Sequence, residues 1–411
     1  MCVQGGRWDC GLRIADCGLK TSRVRISTVT SDSPLAAELR ARIAGGGAIP
    51  FREFMAAALY HPQHGYYASG RAAIGRKGDF FTNVSVGPLF GRLLARQFAE
   101  IWQRLGEPGE FTIVEQGAHG GDFAGDVLAG LREFAPACFA AAAYQIVEPG
   151  TLLRETQAAK LAAFGGKVRW SPVLEPFSGV HFSNELIDAL PVHAVTWTGE
   201  EWRERHVGLH DDRFVFTGGP LSSEALRSHL AQLPPVPPGY ETEVNLAALD
   251  WIADIATKLE RGCVLAIDYG FPRAEYYRAD RTGGTLTGYA HHRRETDLLA
   301  RPGEIDLTAH VDFTSLAERG ERCGLRPAGF TDQHHFMVGL GRLHFPDGTA
   351  PDAQEMRAFK TLMHPTLMGL SFKVLCLEKG LAGSAPLAGF HFASSPPRVG
   401  GPSQGRSPER D

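Results

Sequence analysis

Ile113-Val114-Glu115-Gln116-Gly117-Ala118-His119-Gly120-Gly121-Asp122 is the stretch whose reading decides the fold. A short apolar run ends in a carboxylate and breaks into glycines. Asp122 to Arg132 then carries Phe123, Val127, Leu128 and Leu131 at helical spacing. Strand, glycine turn and helix N-terminus in that order make a nucleotide-binding crevice, because glycines let backbone approach a ligand. The competing reading is an ordinary βα turn that happens to be rich in glycine.

The turn narrows the choice of nucleotide. A dinucleotide fingerprint needs G-x-G-x-x-G, whose second glycine clears room for a pyrophosphate, and here that position is His119. This disfavours a nicotinamide-dependent reductase. No G-x-x-x-x-G-K-[ST] phosphate loop is present either. S-adenosyl-methionine has no phosphate and tolerates a less open turn. Its ribose diol and ammonium need acceptors, and a carboxylate accepts without donating. Glu115 and Glu148 end successive apolar strands, Ile113-Val114 and Gln145-Ile146-Val147, and can supply them. The residue types point towards a methyl donor.

Composition sets the outer bounds. The 411 residues are 43% apolar and 21% charged, enough for one large α/β domain with additions or for two domains. A net charge of -4 argues against nucleic acid as the main partner. No run of 18 apolar residues occurs, so no membrane span is expected. The seven cysteines are scattered without C-x-x-C or zinc spacing and read as free thiols in a reducing compartment. The adjacent pairs His291-His292 and His334-His335 point in different directions on any regular element, so packing or surface roles are preferred to metal ligation. No metal site is expected. Residues 1–32 hold five basic side chains against two acids in the first thirty and read as a disordered extension. A misplaced start of translation would produce such a segment. Residues 381–411 hold five Pro, five Gly and five Ser and read as a disordered tail.

Between these ends, residues 33–110 are expected to form an N-terminal helical segment. Leu35, Leu39 and Ile43, then Phe51, Phe54, Met55 and Leu59, mark two helices, and Phe90, Leu94, Phe98, Ile101 and Leu105 mark a third after Pro88. Residues 111–380 form the core. Thr112–Glu115, Tyr144–Glu148, Val180–Asn184 and Val264–Asp268 read as strands separated by helical patterns, which implies βαβ crossovers and a parallel sheet. Val168–Trp170 adds a further strand. Phe330–Leu340 and Phe372–Leu377, flanking a helix near Gln354–Met363, suggest an antiparallel edge pair. Residues 195–245 interrupt the alternation with meandering strands and the stiff Leu233–Gly239 linker, and are expected to cover the crevice.

Together these motifs resemble the MidA family of S-adenosyl-methionine-dependent methyltransferases, which includes a mitochondrial protein arginine methyltransferase of respiratory complex I assembly. The resemblance rests on Gly78-Asp79-Phe80-Phe81-Thr82, Val114-Glu115-Gln116-Gly117, Leu153-Arg154-Glu155-Thr156-Gln157, Ser183-Asn184-Glu185-Leu186-Ile187-Asp188-Ala189-Leu190-Pro191-Val192-His193 and Ile267-Asp268-Tyr269-Gly270. Thr308-Ala309-His310-Val311-Asp312-Phe313 supports them, and the set covers roughly residues 35 to 380 in the family's order. It implies an α/β class I methyltransferase fold, Rossmann-like, with a seven-strand, mostly parallel sheet. Two places depart from the family pattern. The turn is Gly117-Ala118-His119-Gly120-Gly121 where the family has Gly-x-Gly-x-Gly, and Asn83-Val84-Ser85 stands for Ser-Pro-Glu.

The resemblance implies S-adenosyl-L-methionine as cofactor, bound by Gly78, Asp79, Phe80, Thr82, Glu115, Gly117, His119, Gly121, Glu148 and Asn184. It further implies a protein substrate, a respiratory complex subunit among the candidates, methylated on arginine. A cytoplasmic location is expected, or the mitochondrial matrix for a eukaryotic source. Methyl transfer from a sulfonium is an in-line displacement, so alignment and a free lone pair are the demands. A guanidinium acceptor must be held by carboxylates. If a helical turn follows Asn184, Glu185 and Asp188 share one face and fork it as the catalytic pair. Asp268 reads as structural. The rival reading is a catalytically weak or inactive scaffold of the same fold that binds a partner protein.

Overall fold

Apolar strands alternating with amphipathic helices from Phe111 onward wind a single mixed sheet. In the computed structural model, which describes residues 33–67, 82–290, 293–345 and 352–393, it holds β1 Phe111–Gln116, β2 Ala142–Val147, β3 Val168–Ser171, β4 Phe177–Asn184, β5 Leu259–Phe271, β6 Arg326–Asp332 and β7 Phe372–Lys379. The spatial order is β3-β2-β1-β4-β5-β7-β6, with the two-residue strand Val311–Asp312 pairing beside the end of β5. The five strands from β3 to β5 run parallel, and β7 is antiparallel to both neighbours. This is the seven-strand arrangement expected from the sequence.

The order reverses between β1 and β4, and the two faces are covered by different helices. One face carries Leu89–Arg104, Asp122–Phe134 and Gln333–His344, with Phe123 of the second helix stacked on Phe182 of β4 at 4.3 Å. The other face carries Leu246–Lys258 and Phe313–Arg322, packed through Ile252, Ile255, Phe313 and Leu316. Each such aromatic or aliphatic side chain taken fully from water stabilises by about 1.5–3 kcal/mol before the entropy of ordering is counted. A crevice between helices leading to opposite faces opens at the carboxyl ends of β1 and β4.

The helices Pro34–Gly46 and Phe51–Tyr60 form as expected, the first capped by Ser33, whose hydroxyl accepts from the Ala36 amide. They do not pack on the main sheet. Leu35, Leu39, Phe51 and Phe54 share a core with Val192, Val207 and Phe214 of the insertion and with Leu299, Ile305 and Leu307. The insertion is an antiparallel meander of His193–Trp197, Trp202–His210, Arg213–Gly219 and Tyr240–Val244, to which Ile49–Pro50 adds an edge. Leu233–Gly239 is not a free linker, since Leu233 and Val236 pack against the cluster of Tyr240, Tyr276 and Tyr277.

The third helix, Leu89–Arg104, faces the core in the layer over the sheet. Two expectations need correction. Phe330–Leu340 is not one strand. β6 ends at Asp332, whose carboxylate caps a helix over Gln333–His344, and Gln333, Phe336, Met337 and Leu340 bury one face of it. The tail does not begin at Leu381. Residues 381–393 pack on the core through Leu387 and Phe390, both at most 2% exposed, with Phe390 edge-on to Phe336. A three-stranded sheet of Thr287–Ala290, Arg293–Glu295 and Asp306–Thr308 went unread. The expectations for residues 1–32, His291-His292 and residues 394–411 lie outside the described residues.

Candidate active site

The glycine turn does what its sequence requires. Gly117 and Gly121 adopt φ of 81° each, and His119 between them is also left-handed at 41°. A left-handed non-glycine residue is uncommon and stores local strain, which concentrates at functional sites. Gln157 holds this turn. It is fully buried, and its Nε2 donates to the His119 carbonyl at 2.7 Å while Trp170 Nε1 donates to its Oε1 at 2.9 Å. The same Nε2 lies 3.5 Å from Glu148 Oε2. Glu148 follows β2 directly and accepts from the Gly150 amide at 2.8 Å. Burial raises its pKa, against the opposing bonds from Gly150 and Gln157.

These residues fit an adenosyl group. Gly117 is exposed at the crevice, a Cβ there would first meet Leu186 at 3.4 Å, and Glu148 keeps lone pairs beyond its bonds to Gly150 and Gln157 for a ribose diol. Glu115 is placed differently. Its side chain turns inward, 4% exposed, and accepts from the Tyr144 hydroxyl at 2.7 Å. Burial pushes its pKa up to about 8 despite that bond. Glu115 therefore sits beneath the turn, while Glu148 sits at the crevice.

The second half of the site lies at the ends of β4 and β5. Glu185 leaves β4 with φ 53°, its amide donating to the Ile267 carbonyl at 3.0 Å. No helix starts here. Asp268, wholly buried at the end of β5, accepts from the amides of Leu186, Ile187 and Asp188 at 3.2, 2.8 and 3.3 Å and from Tyr269 at 2.8 Å. That cradle folds 185–188 back on itself and leaves Glu185 and Asp188 within electrostatic reach without a helical face. Burial holds Asp268 at about 7 and Glu185 at about 8. It holds Asp188 well above the carboxylate range, with Asp268, Asp306 and Glu185 adding repulsion.

Asp306, from the unread three-stranded sheet, completes a group of four acids. Tyr67 donates to its Oδ1 at 2.8 Å. Tyr60 stacks on Tyr67 at 5.5 Å and donates to the Ala189 carbonyl at 3.0 Å. Tyr269, packed on Phe372 at 3.9 Å, forms another wall. Burial and the neighbouring carboxylates raise all three phenols, so they remain neutral donors. Among the described residues no cation forms an ion pair with Glu185, Asp188 or Asp268.

A chain of three amides orients Glu185. Gln333 Nε2 donates to the Leu362 carbonyl at 3.0 Å and to Asn83 Oδ1 at 2.7 Å. Asn83 Nδ2 donates to Asn184 Oδ1 at 2.8 Å, and Asn184 Nδ2 donates to Glu185 Oε1 at 2.8 Å. A carbonyl can only accept, so Leu362 fixes the direction of every bond after it. Asn184 thus serves the acid rather than reaching into solvent. Thr82 sits just before this chain, closed on Ser85 by a hydroxyl contact of 2.9 Å, whereas Gly78, Asp79 and Phe80 lie outside the described residues.

Asn83, Gln333, Asp306, Tyr60 and Tyr67 were missed from the sequence. Gln157 and Asp268 stood inside quoted motifs, which was signal enough. His193 is removed from the chemistry, its Nδ1 2.8 Å from Glu204 Oε1 inside the insertion. His334 and His335 bond the Met363 carbonyl and Asp332, and no metal-binding cluster occurs among the described residues.

The sheet order, the glycine turn over β1 and the acid at the end of β2 define a class I S-adenosyl-methionine-dependent methyltransferase. Residues 93–331 match the model of a family described as S-adenosyl-L-methionine-dependent methyltransferases. The chain belongs to that family, the MidA family of the sequence resemblance. A solved COG1565 superfamily member from Burkholderia thailandensis, bound to S-adenosyl-homocysteine, is 34% identical at a TM-score of 0.79, over 87% of this chain and 95% of that one. The protein arginine methyltransferase NDUFAF7 homolog, mitochondrial, of Drosophila melanogaster is 30% identical over 87% of this chain and 88% of its own. The human protein arginine methyltransferase NDUFAF7, mitochondrial, is 26% identical over 84% and 83%.

Proposed function

We propose that this methyltransferase acts on a guanidinium, the arginine side chain of a protein, with Glu185 and Asp188 as the groups that hold it. The observation that carries the reading is the group of four acids at the ends of β4 and β5, three of them at most 7% exposed, where no ion pair reaches Glu185, Asp188 or Asp268 among the described residues. Buried carboxylates without cations are costly, and an entering guanidinium relieves that cost through paired N–H···O bonds. Tyr60, Tyr67 and Tyr269 flank it with neutral rings, whose faces favour a flat cation.

The donor supplies an electrophilic methyl group when bound. Glu148 and the turn at Gly117–Gly121 hold its nucleoside, while Glu185 and Asp188 fork the acceptor so that one nitrogen keeps its lone pair in line. Because the two carboxyls are raised by burial, they enter the site partly protonated, and the approaching cation shifts them to the charged form. The relatives' names support an arginine acceptor and a mitochondrial setting. We place the substrate among respiratory complex subunits on the family resemblance. A cytoplasmic location gains no support from those relatives, and among the described residues no helix is long and apolar enough to cross a membrane.

The test is transfer of labelled methyl to protein by the parent, Glu185→Gln and Asp188→Asn. Each variant is expected to lose at least about a hundredfold in transfer, the scale for a removed group that orients and charge-stabilises the reacting atoms. Donor affinity should hold within a few fold. Unchanged transfer in both variants would remove these acids from the reaction.

A further inference from the structure

We propose that the cleft between the inserted helix Glu224–Leu230 and the core helices Leu246–Lys258 and Phe313–Arg322 binds a small organic anion carrying a phosphate or carboxylate group. It encloses about 250 Å³ and is walled by Ser228, His229, Gln232, Arg273, Arg319 and Arg322, among others. No residue of the methyl-transfer crevice lines it. Three guanidiniums face one concavity, and they are not equally satisfied. Arg273 forks Glu318 at 2.9 and 2.6 Å and reaches Ser315 Oγ at 2.9 Å, so its charge is met. Among the described residues Arg319 makes only a 3.4 Å bond from Nε to the Leu249 carbonyl. Arg322 makes no hydrogen bond or ion pair among the described residues. Asp250, at the exposed rim, pairs with neither.

His229 strengthens the assignment. Its side chain is half-buried, lines the cleft and makes no hydrogen bond from its ring to the described protein. Burial and the charges of Arg273 and Arg322 hold it neutral at ordinary pH. It therefore offers a neutral N–H to an incoming oxygen while the two unpaired guanidiniums supply charge. Guanidinium groups meet oxyanions bidentately, and gathering several in a concave, partly desolvated place is unfavourable until one arrives. The volume falls below the usual range for drug-sized ligands, which favours a compact anion. A smaller cavity shares His229, Leu249 and Ser315 with the cleft and extends to His310, whose ring stacks on Tyr269 at 6.2 Å. An anion here would clamp the inserted helix to the core beside the wall of the acid group.

Calorimetric and melting titrations of the full chain with inorganic phosphate, pyrophosphate and citrate, at ionic strength matched with chloride, test the proposal. At least one is expected to bind with unit stoichiometry at millimolar concentration or below and to raise the melting temperature. Response to the phosphates alone assigns a phosphoryl ligand, and response to citrate alone assigns a carboxylate. The R319Q/R322Q pair should weaken binding about tenfold or more, the loss of one charge-assisted contact or better. R322Q alone, at an exposed side chain, should weaken it in the same direction. S-adenosyl-homocysteine affinity should not change in either variant. No binding above the chloride control, or equal binding by the parent and the double variant, would overturn the site.

Discussion

At the level of single residues, burial has made the ionisation of several carboxylates in the site costly. Glu185 has its pKa lifted from 4.5 to about 8. A carboxyl raised in the folded state favours folding when protonated, so its contribution is whole below about pH 4.5 and is lost as pH climbs through 8. The melting temperature of the free enzyme should therefore fall between pH 5 and 8, and Glu185→Gln should flatten the fall, as read by scanning calorimetry. A steeper fall in the variant would contradict this. Glu148→Ala should weaken donor binding by about 1.5–3 kcal/mol, the scale of bonds to a charged acceptor, in a calorimetric titration with S-adenosyl-homocysteine. Unchanged affinity would move the ribose site elsewhere. The roles proposed for Glu148 and Glu185 were suggested by their place directly after apolar strands, and that for Asp188 by its spacing from Glu185. Asp306 was not, since it opens a three-residue strand far along the chain with no periodicity to mark it.

At the scale of elements, the amide chain from the helix Gln333–His344 to the end of β4 joins parts of the sequence that no local pattern connects. Gln333 and Asn83 lie 250 residues apart yet meet at 2.7 Å, fully buried. Gln333→Leu removes the donor that orients Asn83, so the bond from Asn184 to Glu185 weakens and the carboxylate form loses support. The acid limb of the transfer rate should then move to higher pH, with donor affinity unchanged and stability lower by roughly 1–3 kcal/mol for the orphaned acceptors. A rate loss uniform across pH would leave Gln333 a packing residue only. This element also shows where periodicity misled. Phe330–Leu340 holds apolar residues at both ends, and the polar run Thr331–His335 between them, with Asp332 as cap, is where the strand gives way to the helix. The strands β1, β2, β4 and β5 were legible because each is a short apolar run followed by a polar residue or a glycine.

At the scale of the whole molecule, the Rossmann-like sheet, the N-terminal helices and the meander divide the work. The carboxyl ends of β1 and β4 offer the donor crevice, while Tyr60 and Tyr67 are brought to the acids by the helix Phe51–Tyr60 and the loop after it, which packs on the insertion and not on the sheet. The sequence revealed the sheet and suggested an insertion, since both depend on local alternation. It hid their mutual packing, which depends on contacts between distant segments. Composition also misplaced the C-terminal boundary. Leu387 and Phe390 sit among residues that look like a tail, yet both are buried. A chain ending at Gly380 should lose on the order of 3–6 kcal/mol relative to one ending at Ala393, two buried apolar side chains at about 1.5–3 kcal/mol each. Urea midpoints would register the difference, and equal midpoints would make residues 381–393 dispensable. The central claim, methylation of a guanidinium over the acid group, is tested most directly by chemical location of the label. The enzyme is incubated with methyl-labelled S-adenosyl-methionine and a mitochondrial or bacterial lysate, and the labelled protein is hydrolysed. Methylarginine carrying the label, absent with Asp188→Asn, is the predicted result, and label on lysine, on a carboxylate or only on small molecules would contradict it.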